Sequence, residues 1–365
     1  MSKFRVEDII SILKSTSKEY NIIEYQDPDI VDVKLYDNTL YIIVYDRSDR
    51  ASLIGYGGVI VKGLRKTLGV EEVVVRAVID LSVKRARIVR VLHHLKRTIY
   101  PNVASNVRLV LKKHLEPLLY QELKYPPRLN LTLDEEDEPK AVVAFSGGPD
   151  STASLILAKN AGFNPIAITV SPGPFIVPED TISLVVNIAK YLKVKHYIVK
   201  PKEDFKCIIE DTLNGRRMPC SRCNPIVRNT ILDYARSLNI PIVIFGDSLA
   251  TSSRAVRVLS KNMVRVNLPS ALALTKYDTI EISRKYTGIR YKLGYGCPLL
   301  REGMRRHRWM RFIAIERVLR EARSGYLEPM EALEIVKSII KIPYSPYREG
   351  LEAEVIKSSC SGFNF

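Results

Sequence analysis

The sequence predicts an α/β fold: a doubly wound parallel sheet in mid-chain, with a smaller α+β block before it and a basic helical region after it. Three observations predict this. The strongly apolar run 141–145 reads as a buried strand, and 164–170, 195–199 and 240–245 read as further strands. Helical patterns at 181–192 and 226–238 separate the later runs, as parallel neighbours require, because each needs a crossover. The first 135 residues instead open on helical spacing and continue as alternating stretches joined by a turn.

Composition narrows the class of protein. An apolar fraction of 46% and a charged fraction of 26% are those of a folded chain. No uncharged apolar run reaches the roughly 18 residues of a bilayer span, so no membrane partner is expected. The start, MSKFRVEDII, shows no apolar signal core, and a cytoplasmic location is expected. Five cysteines over 365 residues make no disulfide framework. With 56 basic and 40 acidic residues the net charge is +16, which points to a polyanionic partner, nucleic acid first, or to a generic basic surface. Only Gln26 and Gln121 are glutamines amid many Lys, Arg, Ile and Val, a heat-adapted composition.

The sharpest change of composition is the acidic stretch 133–139, after Pro126-Pro127, which reads as a linker. It sets expected domains at 1–135, 136–300 and 301–365. The first opens with Val6-Glu7-Asp8-Ile9-Ile10 at helical spacing; two alternating stretches, 31–36 and 40–45, follow as a hairpin through Asp37-Asn38. Then come the glycine turn Gly55-Tyr56-Gly57-Gly58 within the apolar stretch 53–61, a helical stretch at 64–69 and a strand near 73–78. This order and the GxxG turn resemble a KH domain with its helix first. The resemblance implies RNA binding, with loop amides approaching the phosphates and Lys62, Arg65 and Lys66 adding charge; a KH-like fold used only for packing is the alternative. The basic run through Lys84, Arg85, Arg87, Arg90, His93, His94 and Arg97 reads equally as an RNA contact or a solvated helix face.

The run 141–145 feeds Ser146-Gly147-Gly148-Pro149-Asp150-Ser151, and a helical pattern follows to Gly162. A strand entering a glycine turn and then a helix N-terminus aims backbone N–H groups at an anion. Ser146 and Ser151 add hydroxyls. Asp150 would repel a phosphate unless Mg²⁺ lay between them, so it implies metal-bound ATP. The hexapeptide resembles the PP-loop of the ATP pyrophosphatase superfamily, an adenine nucleotide hydrolase-like fold, over roughly 139–295. That resemblance implies ATP binding by Ala144, Phe145, Ser146, Gly147, Gly148, Asp150 and Ser151, with Gly246 closing a neighbouring strand. It also implies cleavage of ATP between its α and β phosphates, with adenylation of a carbonyl oxygen.

Cys220-Ser221-Arg222-Cys223 starts 74 residues after Ser146, and Cys297, followed by Pro298, lies 74 after Cys223. This layout resembles the tRNA 2-thiouridine and 2-thiocytidine synthetases, in which CxxC and a distant Cys-Pro cysteine hold a [4Fe–4S] cluster on three irons. The fourth iron stays open for sulfur. Structural zinc with His196 or His307, a persulfide relay favoured by Arg216, Arg217 and Arg222, and inert core thiols remain as alternatives. Cys207 reads as a small helix residue and Cys360 as a tail thiol. Two features depart from those enzymes. Their GHNxxD-like segment is here Gly246-Asp247-Ser248-Leu249-Ala250-Thr251, where Asp247 either substitutes for an aspartate or caps a helix; and their paired zinc modules are absent.

After Cys297 the chain turns basic: Arg301, Arg305, Arg306, His307, Arg308, Trp309 and Arg311 start what reads as one long helix to Gly325. Its arginines are expected to face outward, with Trp309 either stacking on a base or in the core. The resulting expectation is an ATP-dependent tRNA sulfurtransferase with Asp150, Cys220, Cys223 and Cys297 as catalytic residues. Its cofactors would be ATP, Mg²⁺ and the cluster; its partners, tRNA and a sulfur donor, with a homodimer one admissible assembly. The rivals are an amide-forming or lysine-attaching PP-loop ligase and a non-catalytic, nucleotide-regulated RNA-binding protein.

Overall fold

A computed structural model of the chain describes residues 4–19, 27–36, 38–124, 139–248 and 255–345. The linker stretch 133–138, Pro126-Pro127, Asp37, residues 249–254 and Cys360 lie outside them. The chain forms two compact units, Met1–Val89 with Tyr120–Arg128, and Arg90–Leu119 with Leu129–Phe365.

In the first unit α1 (Val6–Glu19) precedes a hairpin of β1 (Ile30–Tyr36) and β2 (Thr39–Val44), turned at Asn38 with φ 57°. Next come α2 (Arg47–Ile54), the glycine turn, α3 (Val59–Leu68) and β3 (Glu72–Ala77), which pairs with β2 in parallel. Helix α2 has no counterpart in the apolar pattern, because few of its residues are buried. Its start is set by a capping box in which Asp46 and Asp49 satisfy each other's backbone amides. The turn needs glycine: Gly55, Gly57 and Gly58 all hold left-handed φ between 62° and 76°. Ile9, Leu13, Leu40, Ile42, Val44, Leu53, Ile60 and Leu64 make the core, so the apolar faces of α1 and α3 cover one side of the sheet. Lys62, Arg65 and Lys66 face solvent from α3.

Helix α4 (Val78–His94) carries the chain into the second unit, α5 (Ser105–Val110) follows, and α6 (Glu116–Leu123) leads back. The second unit is then built around β4 (Lys140–Ala144), α7 (Pro149–Asn160), β5 (Asn164–Val170), α8 (Glu179–Tyr191), β6 (Lys195–Val199), α9 (Lys206–Leu213), α10 (Cys220–Ser237) and β7 (Ile242–Phe245). A hairpin of β8 (Val256–Ser260) and β9 (Met263–Asn267) ends the sheet, whose order is β6-β5-β4-β7-β9-β8. All pairings are parallel except β8–β9. That antiparallel edge was not expected, since β8 is an exposed strand whose alternation carries arginine and serine. The chain order runs outward from β4 through β5 to β6, then restarts at β7 on β4's other side. The reversal makes a crevice at the carboxyl ends of β4 and β7, where such sheets receive ligands. Val142, Ile168, Val243 and Phe245 of the sheet pack on Ile231, Leu232 and Ala235 of α10.

Helices α11 (Leu268–Ala271), α12 (Lys276–Thr287), α13 (Pro298–Arg306), α14 (Arg308–Arg323) and α15 (Pro329–Ile340) complete the unit. The single long helix expected after Cys297 is instead two, broken at His307, whose backbone is extended at φ −130° and ψ 110°. A tertiary contact decides the break: His307 Nε2–H donates to the Leu213 carbonyl at 2.8 Å. Among the described residues no helix is long and apolar enough to cross a membrane.

Gly215 makes room for that ring. It holds φ +70°, and an added Cβ would lie 2.6 Å from His307 Cε1 and Nδ1. Gly215→Ala should therefore cost about 1–3 kcal/mol of stability, read as a lower denaturant midpoint in chemical unfolding.

Candidate active site

The loop after β4 occupies the crevice because strand pairing delivers it there. Phe145 still belongs to the sheet: its amide donates to the Ile168 carbonyl at 2.8 Å, and its carbonyl accepts from Thr169 Oγ1 at 2.7 Å. Its backbone is thus spent internally, and the chain leaves the sheet only at Ser146. Gly147 turns with φ +77°, and a Cβ there would meet Val185 Cγ1 at 2.7 Å. Gly148 is the N-cap of α7 and Pro149 its first residue, where a missing N–H costs nothing. The serines close the loop. The Ser146 amide donates to Ser151 Oγ at 3.2 Å, the two hydroxyls are 3.1 Å apart, and Ser151 Oγ donates to the Gly148 carbonyl at 3.0 Å. Gly246, at the end of β7, is pressed on the same turn: a Cβ would come 3.1 Å from the Ser151 nitrogen. Ser146–Ser151 and Gly246 therefore assemble at one place, with Ala144 half-buried beneath them.

Asp150, second in α7, is held by three donors. Lys276 Nζ donates to Oδ2 at 2.9 Å, and Thr279 Oγ1 and the Tyr326 hydroxyl each donate to Oδ1 at 2.7 Å. The positive charge facing this carboxylate is an ammonium. Burial pushes the Tyr326 phenol up, with Asp150 reinforcing it, so it stays a proton donor. Glu321 also lies near; burial raises its carboxyl, Lys276 opposes this and Asp150 adds to it. Ser283 Oγ donates to the Pro149 carbonyl, and Tyr291 to Thr152 Oγ1. Lys276, Thr279 and Tyr326 were missed as site residues because they lie 126, 129 and 176 positions from Asp150. The only local signal is the Thr275–Asp278 capping box that starts α12.

The three spaced cysteines all sit at helix starts. Cys220 opens α10 with Cys223 in its first turn, and Cys297 is the N-cap of α13 with Pro298 first. All are reduced and half-buried. Burial pushes Cys223 up to about 12, and the charges of Cys297 and Cys220 add to the shift. Burial also raises Cys297, against the backbone amides of Leu300 and Leu299. Burial would lower the Arg317 guanidinium on α14, but the neighbouring Cys220 and Tyr295 raise it overall. Among the described residues no group of three or more His, Cys, Asp or Glu side chains is placed to hold a metal ion. Both histidines weighed as zinc ligands have other partners: His196 Nε2 lies 2.8 Å from Thr169 Oγ1, and His307 is bonded to Leu213. Cys220, Cys223 and Cys297 lie close enough for their charges to act on one another, and three thiols are a donor set of the chemistry that an iron–sulfur cluster uses. Cys207, half-buried in α9, is not among them, and it is not the plain helix residue expected: it is disulfide-bonded.

Asp247 accepts from Arg265 at 3.1 Å and from Arg228 at 3.3 Å. On the C-terminal helices, Trp309 and Phe312 are exposed, so Trp309 is not a core residue. Arg301 and Arg308 face outward as expected, but Arg306 is buried, its Nε 2.8 Å from Glu302 Oε1. Arg305 and then Arg306 hold the Glu302 carboxyl down at about 2.

A glycine-rich loop at the switch point of a parallel sheet, leading into a capped helix, defines a PP-loop α/β protein. No protein-family model matches the chain. It is 34% identical over 238 residues to the uncharacterized protein MJ1638 of Methanocaldococcus jannaschii, covering 65% of this chain and 87% of that protein. The chain belongs to the family of that protein. The tRNA-specific 2-thiouridylase MnmA of Orientia tsutsugamushi is a homologue, 30% identical over 156 residues, or 38% of this chain. The chain spans only about 40% of that enzyme's length. Among solved structures, the U34-tRNA thiolase NcsA from Methanococcus maripaludis with its [4Fe-4S] cluster aligns with TM-score 0.36 and 14% identity over 65% of this chain and 79% of that one.

Removing one donor from the part-buried Asp150 should be measurable. Tyr326→Phe keeps the ring and should destabilise the second unit by about 1.5–3 kcal/mol; an unchanged melting temperature would show the hydroxyl to be dispensable.

Proposed function

We propose that this chain is an ATP-dependent tRNA sulfurtransferase. The observation that carries the reading is one shared core: Cys220 and Cys297 pack against the cluster that buries Tyr326, and the Tyr326 hydroxyl donates to Asp150 of the nucleotide loop at 2.7 Å. Thiols and nucleotide loop thus meet at one place, as an enzyme that activates a base and then delivers sulfur to it needs.

In this reading Mg-ATP lies on Ser146–Ser151, with Ala144, Phe145 and Gly246 framing the loop. The α7 amides and Lys276 offset phosphate charge, and Asp150 orients Lys276. A nucleobase carbonyl oxygen attacks the α-phosphate, pyrophosphate leaves, and sulfur then displaces AMP at the same carbon. Cys220, Cys223 and Cys297 would hold a [4Fe–4S] cluster, which when bound supplies an iron with an open position for sulfur. The MnmA relatives are tRNA-specific 2-thiouridylases, which together with the surplus of sixteen positive charges supports tRNA as substrate. The first unit is read as KH-like. Its order α1-β1-β2-α2-α3-β3, a parallel β2–β3 pair and a left-handed glycine turn before the exposed cations of α3 support it. Domains at 1–135, 136–300 and 301–365 belong to this reading.

Protein prepared anaerobically should be brown, contain iron and acid-labile sulfide, and release pyrophosphate when given ATP and tRNA. Cys220→Ala, Cys223→Ala or Cys297→Ala should each lose iron and sulfur transfer while still binding ATP. Colourless, metal-free protein that thiolates tRNA would overturn the cluster, and absence of tRNA-dependent pyrophosphate release would overturn the enzyme. For the first unit, Asp at Tyr56 and Gly57 should weaken tRNA binding roughly tenfold or more by charge repulsion. Asp tolerates the left-handed backbone at 57, and a Cβ at Gly57 meets nothing within 4 Å. Unchanged affinity and salt dependence would make this unit structural only.

A further inference from the structure

A second charged group lies beside the loop and is not used above. Arg265 sits inside β9 and is only 9% exposed, yet it faces Arg228 of α10 rather than a carboxylate of its own. The two guanidinium groups share a single acceptor, Asp247 Oδ2, at 3.1 and 3.3 Å. Both lie over the Phe245 ring, their central carbons 5.2 and 6.0 Å from its centroid. Arg265 Nε donates to Asn267 Oδ1 at 3.1 Å, whereas Arg228 Nε is buried with no hydrogen-bond partner among the described residues. Arg257, exposed on β8, stands directly across the hairpin from Arg265. Burial lowers Arg265, and Arg228 and Arg257 lower it further while Asp247 alone opposes them. Three cations thus act around one carboxylate.

Two guanidinium groups on one carboxylate leave a net positive charge, part of it buried, that a further anion would neutralise. Position says where such an anion would come from. Asp247 follows Gly246, the residue pressed against the Ser151 amide, so the cluster adjoins the turn that opens α7. We propose that Arg228 and Arg265, oriented by Asp247 and Phe245, form a phosphate-binding site next to the nucleotide loop. Guanidinium forks match two phosphate oxygens at once, and stacking on a ring fixes their planes. The phosphate belongs either to ATP or to the backbone of the RNA, which Arg257 would then follow to the sheet edge. The proposal rests on the nucleotide-loop reading given above.

The test uses the full chain and the variants Arg228→Gln and Arg228→Lys, titrated separately with Mg-ATP and with tRNA over a salt series. Arg228 is part-exposed, and both variants should melt with the wild type. Arg228→Gln should bind one of the two ligands about tenfold more weakly, with Arg228→Lys in between because it keeps charge but not the fork. A loss confined to ATP assigns the nucleotide. A loss confined to tRNA, with a salt slope smaller by about one, assigns the RNA backbone. Wild-type affinity for both ligands in folded Arg228→Gln overturns the site and leaves the sulfurtransferase reading standing. Wild-type protein that binds neither ligand sinks that reading instead. Titration with inorganic pyrophosphate then decides the site, and equal binding by wild type and Arg228→Gln overturns it.

Discussion

A carboxylate near the start of a helix gains from the helix dipole, but when about three-quarters buried it also needs partners. Asp150 obtains them from far along the chain. Lys276 and Thr279 bring α12 against α7, and Tyr326 brings the turn between α14 and α15. One side chain therefore ties the loop to two later segments. A substituent on either of them is felt at the loop, because the donors converge on two oxygens.

The sulfur side of the site is arranged by helix starts. Thiolates are favoured at helix N-termini and disfavoured by burial, and both forces act here. The α13 amides lower Cys297 while burial raises it, and Cys223 is raised by burial and by its neighbouring thiols. Thiols under that tension are poorly suited to remaining charged alone, and a bound cation would relieve them.

Close approach of backbone explains the glycines that matter. At Gly147 the neighbour is the Val185 side chain, and at Gly246 it is the backbone of Asp150 and Ser151. The second is the tighter constraint, since side chains can shift and the first turn of α7 cannot. The same intolerance for a side chain allows β7 to end directly beside the phosphate turn.

The sequence by itself determined what depends on local order. The strand β5 coincides with its apolar run, because buried parallel strands are continuous apolar segments. The loop Ser146–Ser151 was legible because glycine, serine and a following helix must be adjacent to make an anion site. The thiol trio was legible only through its spacing. What the sequence could not decide is what pairs across distance. The break at His307 depends on a carbonyl at Leu213, and the inward turn of Arg306 on Glu302, so helical periodicity alone ran past the first and misplaced the second. Asp150 was legible as a carboxylate beside the glycine turn, but its ion pair with Lys276 was not. Charge pattern records which groups a chain owns, whereas only packing decides which of them share a low-dielectric site.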